Sequence, residues 1–449
     1  MHHYSKLSAL DLSLAVQQGE VTVVELSQYF IQRIKDHDEL NCISQLLTQR
    51  ALQQATRLDQ LAAQGIYLSP LHGVPMIVKD SFAISGEVTW AGTTYLNQLE
   101  QQDAAIITQL EALGLVIVAR AKMTELAFGL SGQNPIQGTP RNPCYAKPVA
   151  PGGSSSGCAV AVAAGLAPLA VGGDTGGSVR VPAAMNGILG FKPSHDQLNG
   201  QGNLPLAASL DSVGLMARSS EDLLELYTQL RPVAETFHPN IPIYYLSENH
   251  FPESLEPEVY TVWQAQLHHL QQQGYALTAW QPPQDFNFQQ LSDWCSDIIA
   301  YEGYQLYHHL ADDENTPMWS IVRHRIQRGA QISAPYYQSL ITKRNAYYAA
   351  FAASLDQQAA LLLPMLPGFA PPLNAEDSSC HTVGPYSRPF NYLDLPACSF
   401  PIGYARQHEP IAAQLVMLKG QEISLLQQVQ QIIRLLNLPV NQLAKKIPS

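Results

Sequence analysis

Residues 147–194 read KPVAPGGSSSGCAVAVAAGLAPLAVGGDTGGSVRVPAAMNGILGFKPS, and this stretch decides the fold. Two clusters rich in glycine and serine, 152–157 and 172–178, flank an apolar segment of Ala and Val. Glycine at this density lets the backbone turn tightly or approach other groups closely. Consecutive N–H groups in such a turn form a concave nest that binds an anion or a developing oxyanion. The pattern predicts an active site, in which the first cluster begins a helix of small residues and the second follows a short strand.

The glycine-serine clusters have two alternative interpretations. Residues 153–157 match the nucleophile elbow G-x-S-x-G with Ser155 as the nucleophile. That motif needs a preceding strand, whereas residues 141–152 contain three prolines. The other alternative is a phosphate-binding loop, but neither of its glycine signatures is present.

The clusters resemble the motif of the amidase signature family, whose members are Ser–cis-Ser–Lys amide hydrolases, at residues 152–155, 174–183 and 190–193. Departures at Ser156, Cys158 and Gly173 remove no catalytic group. The resemblance implies that Ser178 is the nucleophile and Ser154 the bridging serine in a cis peptide. It also implies a supporting role for two residues, Ser155 beside the lysine and Asp174 in the glycine loop. The implied oxyanion hole consists of the backbone N–H groups of Thr175, Gly176, Gly177 and Ser178.

A lysine at the end of an apolar strand is the candidate general base. Residues 73–80, GVPMIVKD, resemble the family segment that carries the catalytic lysine, which gives that role to Lys79. Lys122, Lys147 and Lys192 lie outside this pattern. A lysine works as a base only if its pKa falls from about 10.4 towards 7–8, and the apolar strand provides such an environment. From the residues alone, a surface lysine at a strand end is an equal alternative.

A Ser–His–Asp site is a rival arrangement within the same reaction class. His72 and His195 are the histidines nearest to the motifs, but neither belongs to a pattern that marks a triad. Residues 123–143 resemble the family segment that walls the acyl pocket, although 132–134 are Gly-Gln-Asn where many members have Ser-Glu-Asn. Arg180 is expected to be structural.

Composition excludes several classes of protein. The 449-residue chain has a net charge of −12, 46% hydrophobic residues and 14% charged residues, which indicates a well-buried globular protein without a broad nucleic-acid or anionic-membrane surface. No apolar run is long enough to span a membrane, and the first twenty residues lack the features of a signal peptide. Six scattered cysteines indicate reduced thiols and a cytoplasmic location. We expect no cofactor and no metal.

The order of elements predicts an α/β fold with a mixed, mainly parallel central sheet covered by helices on both faces. We expect one amidase domain over residues 1–449, with its core motifs in 71–195 and a variable, mostly helical substrate subregion at about 284–357. Arg323, Tyr336 and Tyr337 of that subregion are candidate substrate contacts. Residues 196–218 read as a loop. Further expected helices lie at 7–36 (two helices), 48–64, 104–113, 255–273 and 422–436, and strands at 115–120, 241–246, 275–280, 361–367, 398–405 and 411–420.

The resemblance implies an amidase that hydrolyses the C–N bond of a small carboxamide to carboxylate and ammonia through an acyl-enzyme on Ser178. A small amide is then the partner, and the chain could form a homodimer. One alternative is the A-type subunit of a glutamyl/aspartyl-tRNA amidotransferase, and another is a hydrolase of urea-derived amides of the allophanate or carboxybiuret type. A catalytically silent interaction protein is disfavoured because Lys79, Ser154 and Ser178 are all present.

Overall fold

A computed structural model of the chain describes residues 4–232, 241–356, 358–373, 382–405 and 408–436. Within these residues, eleven strands form one sheet that is packed against thirteen α-helices. The strands are β1 (Ile43–Leu46), β2 (Pro75–Lys79), β3 (Val116–Ala121), β4 (Leu169–Asp174), β5 (Leu189–Lys192), β6 (Ser212–Ala217), β7 (Ile243–Tyr245), β8 (Leu277–Ala279), β9 (Ala360–Pro364), β10 (Ala397–Ala405) and β11 (Glu409–Val416). The helices are α1 (Ala9–Gln17), α2 (Val23–Asp36), α3 (Thr48–Ala62), α4 (Ala105–Ala112), α5 (Ser156–Ala163), α6 (Arg180–Met185), α7 (Ser220–Leu230), α8 (Pro257–Gln272), α9 (Phe288–Ala311), α10 (Ser320–Gln327), α11 (Ala334–Ala353), α12 (Gly384–Tyr392) and α13 (Glu422–Leu436).

The sheet is mixed, with the strand order β1-β3-β2-β4-β6-β5-β10-β11-β9-β7-β8. The predicted α/β fold with a mixed sheet is confirmed, but parallel pairing does not predominate as expected. Six of the ten neighbouring pairs are antiparallel, and the parallel pairs are β3–β2, β2–β4, β9–β7 and β7–β8. The reason lies partly in short connections, since β10 ends four residues before β11 begins and so short a link joins antiparallel neighbours. Because all eleven strands share one sheet, we propose that the chain is a single domain.

Both faces of the sheet are covered, as predicted. Successive side chains of a strand point to opposite faces, and in β2 the side chains of Met76 and Val78 join one hydrophobic cluster while Ile77 joins another. The first cluster contains buried residues of α4, α7, α8 and α13, and the second contains buried residues of α2, α3 and α5. A third cluster joins α9, α11 and α12 to β9, in which Leu361 and Leu363 alternate with Leu362 of the first cluster.

One expectation about local structure is wrong. Residues 196–218 are not a loop throughout, because Ser212–Ala217 forms β6, which is fully buried between β4 and β5. Its sequence, SVGLMA, contains a serine and a glycine and has no clear strand periodicity. A Cβ at Gly214 would lie 2.8 Å from the backbone oxygen of Phe191, so the close approach of β5 requires glycine there. Pairing on both sides therefore outweighs the weak local preference.

Other local predictions are confirmed. The helices expected at 48–64 and 422–436 form as α3 and α13. The subregion at 284–357 is mostly helical, since it contains α9, α10 and α11.

The described residues also show the state of the cysteines. Five cysteines in them are buried and free, and Cys380 lies outside the described residues. Among the helices described, none combines the length and the apolar character that a membrane span requires.

Candidate active site

The carboxyl ends of β2 and β4 form the floor of the site. These two strands are parallel neighbours, with Val78 opposite Val171, so they end at the same edge of the sheet. Lys79 is the last residue of β2 and Asp174 is the last residue of β4. The two glycine-serine clusters meet at this edge, where the N–H of Ser155 donates to the backbone oxygen of Ser178 at 3.1 Å. The fold thus brings three motifs that are distant in sequence to one place.

Lys79 is buried and directly contacts Ser154. Its Nζ donates to Ser154 Oγ at 2.8 Å and to the backbone oxygen of Gly173 at 3.4 Å. Burial lowers the pKa of Lys79 to about 8, although Cys158, Asp211 and Asp174 act in the opposite direction. The lysine can therefore lose its proton near neutral pH, next to a hydroxyl that can relay it.

The backbone around Ser154 is held by the segment that leads into the pocket wall. The Gly153–Ser154 peptide bond is cis. The backbone oxygen of Ser154 accepts a hydrogen bond from Thr124 N at 3.1 Å, and Gly153 N donates to the oxygen of Leu130 at 2.8 Å. A Cβ at Gly132 would lie only 2.2 Å from the backbone oxygen of Gly152, so no side chain fits at position 132. The glycine there allows the close packing between this segment and the serine loop.

Asp174 is a fully buried carboxylate that organises the turn after β4. Its oxygens accept hydrogen bonds from the N–H groups of Gly177 (2.7 Å), Val179 (3.1 Å) and Arg180 (3.3 Å). The guanidinium of Arg180 and the amide of Asn391 complete the set at 3.1 and 2.8 Å. Burial disfavours the charged carboxylate, but Arg180 and these donors outweigh it and hold the pKa of Asp174 well below its usual range. Arg180 is thus structural, as expected from the sequence.

The predicted oxyanion donors lie in this turn, and one of the four is already occupied. The N–H of Gly177 donates to Asp174, whereas the N–H groups of Thr175, Gly176 and Ser178 bond to no other residue in the described ranges. Gly176 and Ser178 face the adjoining cavity. The N–H groups of Gly176 and Ser178 are therefore free donors beside this cavity, whereas Thr175 is not among the residues that line it.

A cavity of about 450 Å³ opens directly over Ser178. This volume suits a small molecule. Four of its lining residues belong to 127–130, the predicted wall of the acyl pocket, and seven of the fifteen belong to the helical subregion. The full lining is Ala127, Phe128, Gly129, Leu130, Gly176, Ser178, Leu206, Gln289, Asp293, Ser296, Ile299, Ala300, Arg325, Arg328 and Arg388.

The alternative serine and histidine sites receive no geometric support. Residues 141–152 form no strand apart from one isolated bridge at Val149, and Ser155 is fully buried away from the cavity lining. His72 bonds to backbone atoms of Leu58 and Leu68. His195 bonds to the backbone oxygen of Ala208 and pairs with Asp196.

The alternative lysines lie elsewhere. Lys122 donates to Asn41 and to the oxygen of Gln137. Lys192 is buried but donates to the oxygen of Pro193, and Lys147 is exposed.

The three candidate substrate contacts from the helical subregion do not line the cavity. Arg323 donates to the backbone oxygens of residues 311, 313 and 316, which closes the loop between α9 and α10. The hydroxyls of Tyr336 and Tyr337 donate to Asp297 and Glu302.

The cavity lining also contains three arginines that the sequence patterns did not single out. They are Arg325, Arg328 and Arg388. Arg388 lies three residues before Asn391, on α12. No local motif marks any of the three, because they reach the cavity only through packing of α9, α10 and α12. Among the described residues, no group of His, Cys, Asp and Glu side chains could hold a metal ion.

Comparison with known proteins agrees with this geometry. The Amidase family model matches residues 25–426 of the chain. The chain therefore belongs to the amidase signature family, and it is an amide hydrolase of that family.

Individual relatives support the same assignment. The chain is 40% identical over 224 residues to the A-type subunit of the glutamyl-tRNA(Gln) amidotransferase of Symbiobacterium thermophilum, an alignment that covers 49% of this chain and 46% of the relative. It is 31% identical over 454 residues to the protein of the same name from Halorhodospira halophila, covering 90% of this chain and 92% of that protein. A crystal structure of an amidase superposes with a TM-score of 0.87 at 26% identity, over 95% of this chain and 99% of the other.

The first prediction concerns Asp174. Asp174→Asn keeps the shape but removes the charge, which leaves the buried Arg180 without its counter-ion. We expect the free energy of unfolding in urea to fall by about 3–5 kcal/mol. The control is Asp196→Asn, whose side chain is 85% exposed and whose replacement should change stability by less than about 0.5 kcal/mol. Equal stabilities of the two variants would show that the ion pair does not hold the turn.

Proposed function

We propose that this protein hydrolyses a small carboxamide to a carboxylate and ammonia through an acyl-enzyme on Ser178. The observation that carries the proposal is the buried contact between Lys79 and Ser154, with the lysine pKa at about 8, beside the cavity that Ser178 lines. A nucleophile, a proton relay, a base and oxyanion donors are the groups that amide hydrolysis requires.

The proposed reaction begins with neutral Lys79. The Ser178 hydroxyl attacks the amide carbonyl carbon while its proton passes to Ser154 Oγ and the Ser154 proton passes to Lys79 Nζ. The N–H groups of Thr175, Gly176 and Ser178 stabilise the oxyanion of the tetrahedral intermediate. The C–N bond then breaks, and the proton returns through Ser154 to the leaving nitrogen, which departs as ammonia. A water molecule repeats the same steps on the acyl-enzyme, which releases the carboxylate and restores Ser178.

Ser155 and Asp174 support this chemistry without touching the substrate. Ser155 Oγ donates to the oxygen of Gly173, the same oxygen that the Nζ of Lys79 reaches. Asp174 fixes the turn that carries the oxyanion donors. Their proposed roles are to position the lysine and the nest.

A second candidate is an A-type subunit of an RNA-dependent amidotransferase. It is favoured by the 31% identity over 90% of the chain to a protein with that name. A net charge of −12 gives this chain no general attraction to RNA, although a partner protein could provide it. Independent hydrolysis of a free amide therefore remains our first choice.

The second prediction tests the nucleophile. Ser178→Ala should lose about 10⁴-fold or more of the amidase rate and all covalent labelling by a serine-directed fluorophosphonate, because Ser178 is the one serine in the turn 174–178. Labelling is measured by intact mass spectrometry, with circular dichroism to check the fold. Ser155→Ala is the matched comparison and should still be labelled; the opposite pattern would support the elbow arrangement.

The third prediction concerns pH. Protonated Lys79 cannot accept a proton, so kcat/KM should rise with pH and reach half of its plateau near pH 8. Lys79→Ala should lose most activity, whereas Ser154→Ala should lose less because a water molecule can bridge part of the relay. Lys147→Ala, at an exposed position, is the control and should keep the wild-type profile. A Lys79→Ala enzyme with full activity would disprove the role of this lysine.

The fourth prediction separates the two candidate functions. The isolated protein should release ammonia from at least one amide in a broad panel at steady state, without RNA or an RNA-binding partner. The same assay is repeated with the remaining subunits of an RNA-dependent amidotransferase and charged tRNA. Negligible turnover alone together with strong activation by that complex would favour the amidotransferase assignment.

A further inference from the structure

The cavity over Ser178 is cationic, in contrast to the protein as a whole. Three of its lining residues are arginines, whereas Asp293 is the one carboxylate among them, in a chain whose net charge is −12. Asp293 is exposed at the rim and accepts a hydrogen bond from Gln289. A concave site with an excess of positive charge attracts anions.

The three arginines differ in how they are paired. Arg328 forms an ion pair with Asp297, and Arg325 donates to the backbone oxygen of Phe128 at 2.8 Å. The guanidinium of Arg388 forms no hydrogen bond or ion pair with any residue in the described part of the chain, and its Nε is fully buried without a partner. An unpaired guanidinium in a partly closed site loses hydration without compensation. This state is relieved when a ligand supplies the acceptor.

The position of Arg388 is determined by α12. Ser387 Oγ donates to the backbone oxygen of Gly176 at 2.8 Å, and Asn391 donates to Asp174, so this helix is anchored on the oxyanion turn. The Arg388 side chain extends back along the helix over Gly384, where an added Cβ would lie 2.3 Å from Nη1. A Cβ at Gly176 would lie 3.4 Å from its Cγ. The stem of Arg388 is therefore packed beside a proposed oxyanion donor.

We propose that Arg388 binds a carboxylate carried on the acyl part of the substrate, so that the substrate is the monoamide of a short dicarboxylic acid or an equivalent acidic amide. This inference rests on the proposed function. A guanidinium fork matches a carboxylate in a bidentate geometry. Because Arg388 lies next to Gly176, the carboxylate is separated from the scissile carbonyl by only a short chain. Carboxylated ureas such as allophanate belong to the same chemical class.

The first test compares acids with neutral amides of the same shape. Malonamate and succinamate are paired with acetoacetamide and levulinamide, in which a methyl group replaces one carboxylate oxygen. We expect wild-type kcat/KM for the better acid to exceed that for its neutral counterpart by at least about 10- to 100-fold. Arg388→Gln should abolish this preference mainly through the KM of the acid, so that kcat/KM for the acid falls to about that for the neutral amide measured with the same variant. Arg388→Lys should restore part of it.

Two further variants separate charge from structure. Gly384→Ala keeps the arginine but displaces its guanidinium, and it should reduce the acid preference as well. Arg344→Gln removes a positive charge outside the cavity lining, where the guanidinium donates to Ser209 and lies over Tyr392, and it should leave the preference unchanged. An acid preference that survives in Arg388→Gln, or a wild-type enzyme that prefers the neutral amides, would overturn the proposal.

A binding measurement keeps this test independent of catalysis. Calorimetry with Ser178→Ala should show binding of succinamate or malonamate at least about 10-fold tighter than that of the neutral counterpart, and Ser178→Ala combined with Arg388→Gln should show no difference. If the acids bind through Arg388 but wild-type protein hydrolyses no amide, the proposed function fails and the carboxylate site stands. If neutral amides are hydrolysed while the acids neither bind nor react better, the hydrolase stands and the carboxylate site is wrong.

Discussion

The site depends on one buried ion pair, between Asp174 at the end of β4 and Arg180 at the start of α6. A buried carboxylate is stable only when donors replace its lost hydration. Asp174 obtains them from Arg180, from Asn391 and from three backbone N–H groups of the turn that carries Ser178. Because the turn must supply these donors to Asp174, its backbone has little conformational freedom. Because β4 is buried and paired on both sides, the turn also takes its position from a strand inside the sheet.

This arrangement separates the proposed chemistry from the recognition of the substrate. Lys79, Ser154 and Ser178 lie on or beside the ends of buried strands, whose side chains alternate between two hydrophobic clusters. Much of the cavity wall comes instead from α9, α10 and α12, which pack in other clusters and carry the cationic residues. The cavity-facing side chains of α9 and α10 can change without disturbing the strand ends, whereas Ser387 and Asn391 of α12 bond to the turn itself. The same proposed catalytic groups can therefore serve different amides when only this wall changes.

How far the sequence predicts the structure depends on whether a feature is local. Lys79, Ser154 and Ser178 could be located because each lies in a short segment with its own pattern, and the alternation of apolar segments correctly indicated a covered mixed sheet. β6 was missed because SVGLMA is stabilised by its neighbours β4 and β5 rather than by its own residues. Arg388 could not be found because its significance comes from Gly176, more than two hundred positions away. The sequence also could not predict that the N–H of Gly177 donates to Asp174, because the direction of the Asp174 oxygens depends on the folded structure.

The burial of Lys79 also has a thermodynamic consequence for the whole protein. Its pKa is lowered from 10.5 to about 8 in the folded protein, so folding with a charged lysine at this position costs about 3 kcal/mol. Because the unfolded chain holds the proton more tightly, this cost is fully present below pH 8 and disappears as the pH rises towards 10.5. The folded state is thus penalised most in the protonation state in which the lysine cannot act as a base. From pH 8 upwards, the contribution of Lys79 to stability and the supply of neutral lysine increase together.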